Sequence, residues 1–155
     1  MLGDIIVMDL NRFIEAQKDV YDIALQEIKN GRKTSHWMWY IFPQLSGLGR
    51  TSMANYYGIS DLEEAKSYLA DEVLGSRLRE ISTEALKLDE INPVMVFGDI
   101  DAMKLRSSMT LFEMAASTDE DLVFGKVLDK FYNGERDQLT ISMCRERNST
   151  VKVMK

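Results

Sequence analysis

The sequence predicts an all-α fold, a compact single domain of about seven or eight helices. Apolar residues recur at helical spacing along most of the chain, no segment shows a convincing strand alternation, and residues that cap or end helices lie between the periodic segments. The chain has 155 residues, of which 45% are hydrophobic, so it is long enough to enclose one core. We expect one helical domain over residues 1–147 and a basic tail over 148–155 whose polar composition is compatible with flexibility.

The first helix is predicted over residues 10–30, where Phe13, Ala24 and Ile28 are among the apolar residues at helical spacing. Asn30-Gly31 ends it, because glycine adopts without steric cost the left-handed conformation that follows many helices. Later periodic segments predict further helices over 62–70, 71–88, 99–116, 122–132 and 138–147.

The segment 31–52 contains the chain's one histidine, both tryptophans and a Gly-x-Gly turn. We predict a short buried helix from His36 to Phe42, which Thr34 or Ser35 would cap and Pro43 would end. A loop should follow it and lead into another helix.

Two windows lack acidic residues, although the chain holds 25 of them against 19 lysines and arginines. The first covers residues 28–60 and the second 102–112. Basic regions on a chain with a formal net charge of −6 attract small anions, whereas the overall charge argues against a protein that coats nucleic acid. The cations of the two windows are Lys29, Arg32, Lys33, Arg50, Lys104 and Arg106.

The predicted start of the short helix suits a phosphate or a carboxylate. Free N–H groups near Ser35 would lie beside Arg32 and Lys33, and the helix dipole would add to their field. The alternative is that both cations are solvated or close the preceding helix.

The loop after the short helix is a second candidate for anion binding. Gly47 and Gly49 permit backbone geometry in which successive N–H groups converge, and Arg50 and Thr51 follow at once. We include Gln44, which opens the loop, among the candidate ligand-binding residues. The alternative is a simple tight turn, because the spacing is neither that of a P-loop nor that of a dinucleotide fingerprint.

His36 is the candidate catalytic residue, as a general acid–base group in a cleft walled by Trp37 and Trp39. The alternative is a histidine that satisfies a backbone carbonyl beside aromatic packing. No second histidine or cysteine lies at ligand spacing, so no metal site is predicted, and no cofactor motif is present.

Ser107 and Ser108 lie in the middle of an apolar helix, beside Lys104 and Arg106. Serine has no propensity advantage there, since its hydroxyl competes for backbone groups. Close helix packing explains the small side chains, and a hydroxyl presented to a ligand explains them as well.

We expect a cytoplasmic protein. Cys144 is the one cysteine, which suits a reducing compartment. The first ten residues lack the basic region of a signal peptide, and no apolar run reaches the length of a membrane span.

The segment Ser35-His36-Trp37-Met38-Trp39 and the segment Ile41-Phe42-Pro43-Gln44-Leu45 resemble the signature of a bacterial family, the domain of unknown function 1810, sometimes labelled calpastatin-like. Gly47-Leu48-Gly49-Arg50 and the stretch 104–112 continue the similarity, which covers nearly the whole chain. The resemblance implies a small, cytoplasmic, mostly helical domain, and it implies no established reaction.

Two hypotheses of function follow. In the first, Arg32, Lys33, Arg50, Lys104 and Arg106 converge on a pocket for a phosphate-bearing small molecule, such as a nucleotide or an ADP-ribose-like compound. In the second, the signature is structural core in a non-catalytic protein-interaction module. Convergence of the cations and His36 on one concave pocket would favour the first hypothesis, and scattering or burial in ion pairs would oppose it.

Overall fold

A computed structural model describes residues 9–154, with side chains described up to residue 148. These residues form ten α-helices and no strand, which confirms the all-α fold. The first eight residues of the predicted domain and Lys155 lie outside the described residues. The helices are α1 Asn11–Gln17, α2 Tyr21–Lys29, α3 Met38–Ile41, α4 Ser52–Tyr56, α5 Leu62–Ala70, α6 Glu72–Lys87, α7 Pro93–Phe97, α8 Asp99–Ala115, α9 Leu122–Tyr132 and α10 Gln138–Met154.

The predicted first helix is two helices, α1 and α2, separated by a turn at residues 18–20. Gln17 ends α1 as a buried polar residue, and its amide donates to the backbone oxygen of Tyr40 at 2.7 Å and to the Tyr68 hydroxyl at 3.0 Å. The predicted end of α2 is confirmed, since Gly31 has φ +84° and the Arg32 amide donates to the Glu27 carbonyl.

The prediction for the short helix after Gly31 was wrong at its start and right at its end. The chain is non-helical through Trp37, and α3 has only four residues, with no side-chain cap on its first turn. Thr34 and Ser35 therefore cap nothing. Phe42, before Pro43, has left the helical region, as proline requires of the residue that precedes it.

Helix α8 lies at the centre of the fold and packs against α5, α7, α9 and α10. Leu105, Met109 and Phe112 of this helix are buried, and the Phe112 ring packs against Phe124 from α9 and Tyr68 from α5. Helix α6 covers α5 and α9 and reaches α2. One face of α8 thus remains available for a surface site.

The loop between α3 and α4 is fixed by contacts distant in sequence. Leu45 and Ile59 form an isolated parallel bridge. The Arg147 guanidinium, from α10, donates to the backbone oxygens of Ser46 and Ser60 at 2.7 Å each and to the Ser46 hydroxyl at 3.0 Å. The loop is therefore held against α10.

Lys130, on α9, closes the end of α6 and gives a first test of the fold. Its ammonium donates to the backbone oxygens of Ala85, Leu86 and Leu88, which are acceptors left free at a helix end. Replacing Lys130 with methionine should lower the free energy of unfolding by about 1–2 kcal/mol. Methionine keeps a similar side-chain length but offers the carbonyls no charged donor.

Urea unfolding of the two proteins measures this difference. Lys126→Met is the matched control, since Lys126 is exposed on the same helix. An equal loss in both variants would contradict the assigned role of Lys130.

Candidate functional site

The carboxylate of Glu27 organises the segment that follows α2. It accepts hydrogen bonds from the Thr34 amide at 2.8 Å, the Ser35 amide at 3.0 Å, the Ser35 hydroxyl at 2.5 Å and the Trp37 indole at 2.9 Å. Burial alone would raise the pKa of Glu27, but the hydrogen bonds outweigh it and lower the pKa to about 2. Ser35 and Trp37, both candidate ligand residues, are thus engaged in holding the fold.

Lys33 is enclosed by the same segment. Its ammonium lies 2.8 Å from the Asp101 carboxylate, 2.5 Å from the Ser35 carbonyl and 4.9 Å from the centre of the Trp37 ring. The side chain is only 7% exposed. Lys33 is therefore largely buried and engaged by protein groups.

Arg32 and His36 are exposed and do not share a pocket. Arg32 borders a cavity of about 490 Å³ together with Glu90 and residues 94–98 of α7 and its end. The described contacts of His36 involve its backbone oxygen, which the Tyr40 hydroxyl approaches at 3.4 Å. The predicted anion site at a helix start beside Arg32 is wrong, because no helix begins there.

Arg106 lies in another cavity, where it pairs with Glu135 at 3.7 Å.

The candidate residues of the loop have separate roles. Thr51 caps α4 by accepting from the Ala54 amide at 3.1 Å, Gly47 packs against Arg147, and Arg50 is exposed. The five cations of the predicted pocket thus do not line one common pocket, although Arg32 and Lys33 border the same cavity and Lys33 and Lys104 share Asp101. The burial of Lys33 and the position of Arg106 are the reasons.

Five of the predicted residues do come together, four of them in one groove. The groove, of about 280 Å³, lies between the loop, α8 and the start of α10, and we call it the α8 groove. Its predicted members are Gln44, Gly49, Lys104 and Ser107. The complete lining is Gln44, Leu48, Gly49, Ile100, Met103, Lys104, Ser107, Asp137 and Leu139.

The fifth residue, Trp39, borders a narrow slot that shares Gln44 and Lys104 with the α8 groove. The slot measures about 10 Å³, the size of one water molecule. The Lys104 ammonium lies 5.1 Å from the centre of the Trp39 ring, within cation–π range. The Trp39 indole N–H is buried, and no described residue accepts a hydrogen bond from it. Lys104 thus keeps donor capacity where slot and groove join, and the ring of Trp39 lies next to it.

The α8 groove carries one charge of each sign. Lys104 is 22% exposed and has only a distant partner, Asp101 at 3.8 Å, whose nearer partner is Lys33. Asp137 accepts from the Ser107 hydroxyl at 2.9 Å and from the Thr140 hydroxyl at 2.5 Å. Both bonds go to one oxygen, Oδ2.

Sequence reasoning missed the groove's carboxylate and its apolar rim. Asp137 precedes α10 and reads in the sequence as a simple helix start, whereas Ile100, Met103 and Leu139 read as core. All three apolar residues are exposed, by 70%, 68% and 58%. Ser108, by contrast, is fully buried and does not line the groove, so the prediction that it faces a ligand was wrong.

The structure defines an all-α protein with a small, mixed-charge groove beside its central helix. The chain belongs to the family described as protein of unknown function, DUF1810, whose profile matches residues 7–144. The resemblance drawn from the signature segments is confirmed. No curated protein matches the chain.

A solved structure supports the fold. The crystal structure of a conserved hypothetical protein from Mycobacterium tuberculosis is similar, with a TM-score of 0.83 and 44% sequence identity. The match covers 87% of this chain and 95% of the other. This bacterial relative agrees with the bacterial affiliation that the resemblance implied.

The described residues include neither a membrane-spanning helix nor a cluster of metal ligands. None of their helices has the length and apolar character that crossing a bilayer requires. Within the same part of the chain, no three histidine, cysteine, aspartate or glutamate side chains are grouped as metal ligands would be.

Proposed function

We propose that this protein binds a small amphiphilic molecule, carrying one anionic group, in the α8 groove. The observation that carries the proposal is the placement of Lys104 in the lining of both the groove and the slot, with its ammonium 5.1 Å from the centre of the Trp39 ring and with Asp101, at 3.8 Å, as its described ion-pair partner. A carboxylate or a phosphate at this junction would receive charge-assisted hydrogen bonds from Lys104. The side chains of Leu48 and Met103 provide apolar contact for the rest of the ligand.

The size of the groove favours a compact ligand. Its volume of about 280 Å³ lies just below the range of roughly 300–1,000 Å³ that is typical of small-molecule sites. A simple aliphatic acid or phosphate ester fits this space better than a dinucleotide or ADP-ribose. Binding, rather than catalysis, is the proposed role, because His36 lies outside the groove lining. A cytoplasmic location belongs to the same proposal and is supported by the buried thiol of Cys144.

A protein-interaction module is the second candidate function. The apolar rim of the groove favours it, since Ile100, Met103 and Leu139 are all exposed. The hydrogen bonds from Ser35 and Trp37 to Glu27 favour it too, because these residues of the family signature then stabilise the fold. A partner that covers the rim would compete with a ligand in the groove.

Binding of two probes that share a 3-methylbutyl group and differ in their anionic group tests the proposal. We expect 4-methylpentanoate and 3-methylbutyl phosphate to shift the backbone amide NMR signals of Gly49 and Ser107 in the full chain. Replacing Lys104 with alanine should weaken the binding of both by about tenfold or more, because a charge-assisted hydrogen bond is lost.

Lys87→Ala is the matched control, since Lys87 is an exposed lysine on α6 whose ammonium pairs with Glu84. The control should bind both probes as the unmodified protein does. Shifts confined to other surfaces, or equal binding by Lys104→Ala, would refute the proposal and leave the interaction module as the better explanation.

A further inference from the structure

We propose that the ligand of the α8 groove is zwitterionic, an apolar α-amino acid whose carboxylate meets Lys104 and whose ammonium meets Asp137. This inference rests on the proposed function and specifies its ligand class. It comes from a second charged residue of the groove lining, Asp137, whose carboxylate takes part in none of the described ion pairs.

Asp137 retains capacity for a ligand. Its Oδ2 atom accepts from Ser107 and Thr140, while Oδ1 accepts from no described residue. Arg106 and Arg136 line a neighbouring cavity together with Asp137, but neither forms a described ion pair with it: Arg136 pairs with Glu113 and Asp129, and Arg106 lies 3.7 Å from Glu135. Since a partly buried carboxylate gains from a cationic partner, an ammonium group on the ligand would complete this environment.

The two charges of the groove are held apart by the helix that carries Lys104. Ser107 lies three residues after Lys104, one turn along the same face of α8, and its hydroxyl is the group that donates to Asp137. Among the described ion pairs, Lys104 and Asp137 are not joined to each other. A ligand with both charges would bridge them, and Ser107 would lie between its two ends.

This arrangement also selects against other anions. A phosphate monoester carries up to two negative charges and would meet the Asp137 carboxylate as well as Lys104, so repulsion would offset part of the attraction. An α-amino acid presents opposite charges to the two residues. Its aliphatic side chain would extend toward Leu48, Met103 and Leu139, the apolar part of the lining.

Three compounds with one carbon skeleton test the inference on the full chain. L-leucine carries both charged groups, 4-methylpentanoate lacks the ammonium, and 3-methylbutylamine lacks the carboxylate. We expect calorimetry or NMR titration to show leucine binding about tenfold or more tighter than either, because it satisfies two charged partners rather than one.

Asp137→Asn supplies the second arm, since asparagine is as good as aspartate at the start of a helix and can still accept from both hydroxyls. The variant should bind leucine no better than 4-methylpentanoate, while Asp22→Asn, an exposed aspartate on α2, should bind as the unmodified protein does. The comparison of the three compounds on the unmodified protein does not depend on this variant.

The outcomes separate the two proposals. Binding of 4-methylpentanoate in the groove, with no gain for leucine and no effect of Asp137→Asn, overturns the zwitterion and leaves the anion site standing. A failure of all three compounds to shift the groove amides overturns both.

Discussion

Replacing Glu27 with alanine is expected to lower the free energy of unfolding by about 3 kcal/mol or more. The substitution removes the acceptor of the Trp37 indole N–H and of the Ser35 amide, which are both at least partly buried, and each buried unpaired donor costs about 1–3 kcal/mol. The Thr34 amide also loses its acceptor, but it is exposed and can bind water. Glu27→Gln should lose less, because its carbonyl oxygen can still accept. Chemical denaturation of the three proteins measures the series.

Gln26→Ala is the control, since Gln26 is the exposed neighbour of Glu27 on α2. It should change stability by no more than about 0.5 kcal/mol. An equal and small effect at both positions would show that the segment after α2 is held by its aromatic packing instead.

The contribution of Glu27 should depend on pH in a defined window. Hydrogen bonding places the pKa of Glu27 at about 2 in the folded protein, below its usual value of 4.5. A depressed carboxyl pKa means that the stabilisation is complete above the unfolded value and declines as the pH falls toward the folded one. The stability difference between the unmodified protein and Glu27→Gln should therefore be constant above about pH 5 and should shrink between pH 4.5 and pH 2.

The second large effect is expected at Gly75, where α6 passes close to the end of α5. A methyl group at this position would lie 2.2 Å from the Leu69 carbonyl oxygen and 2.9 Å from the Arg79 guanidinium, which itself donates to that oxygen. Gly75→Ala should therefore lower the free energy of unfolding by roughly 2–3 kcal/mol, even though alanine is the better helix former.

Thermal and urea unfolding measure this loss. The neighbouring Ser76 is exposed, so Ser76→Ala is the matched control and should be within about 0.5 kcal/mol of the unmodified protein. A stability of Gly75→Ala equal to that of the control would mean that α5 and α6 separate at no cost.

Helix limits were predicted most accurately from the sequence where the apolar periodicity and the capping residues indicated the same helix ends. The limits of α5, α6, α8 and α9 were close to those observed, because their apolar stripes are long and bounded by helix-capping or helix-ending residues. The break between α1 and α2 was missed since no glycine or proline marks residues 18–20. The start of α3 was missed because the hydroxyl of Ser35 binds the distant carboxylate of Glu27.

The two windows without acidic residues do mark a structural feature, but it is not the predicted anion pocket. They begin one residue after Glu27 and one residue after Asp101, the two carboxylates that engage Ser35, Trp37 and Lys33. The sequence could show which residues were basic, but not which acids would face them once the helices packed. Lys104 keeps spare donors because Asp101 is shared with Lys33 and lies nearer to it.

The Arg147 contacts imply an order of events during synthesis. The guanidinium that holds the loop at Ser46 comes from a residue 101 positions later in the chain. Long-range contacts of this kind form only after their closing segment is available, and they slow folding because a large loop must be closed first. The wall of the α8 groove that Gly49 provides should thus become ordered late, when most of the chain has already left the ribosome.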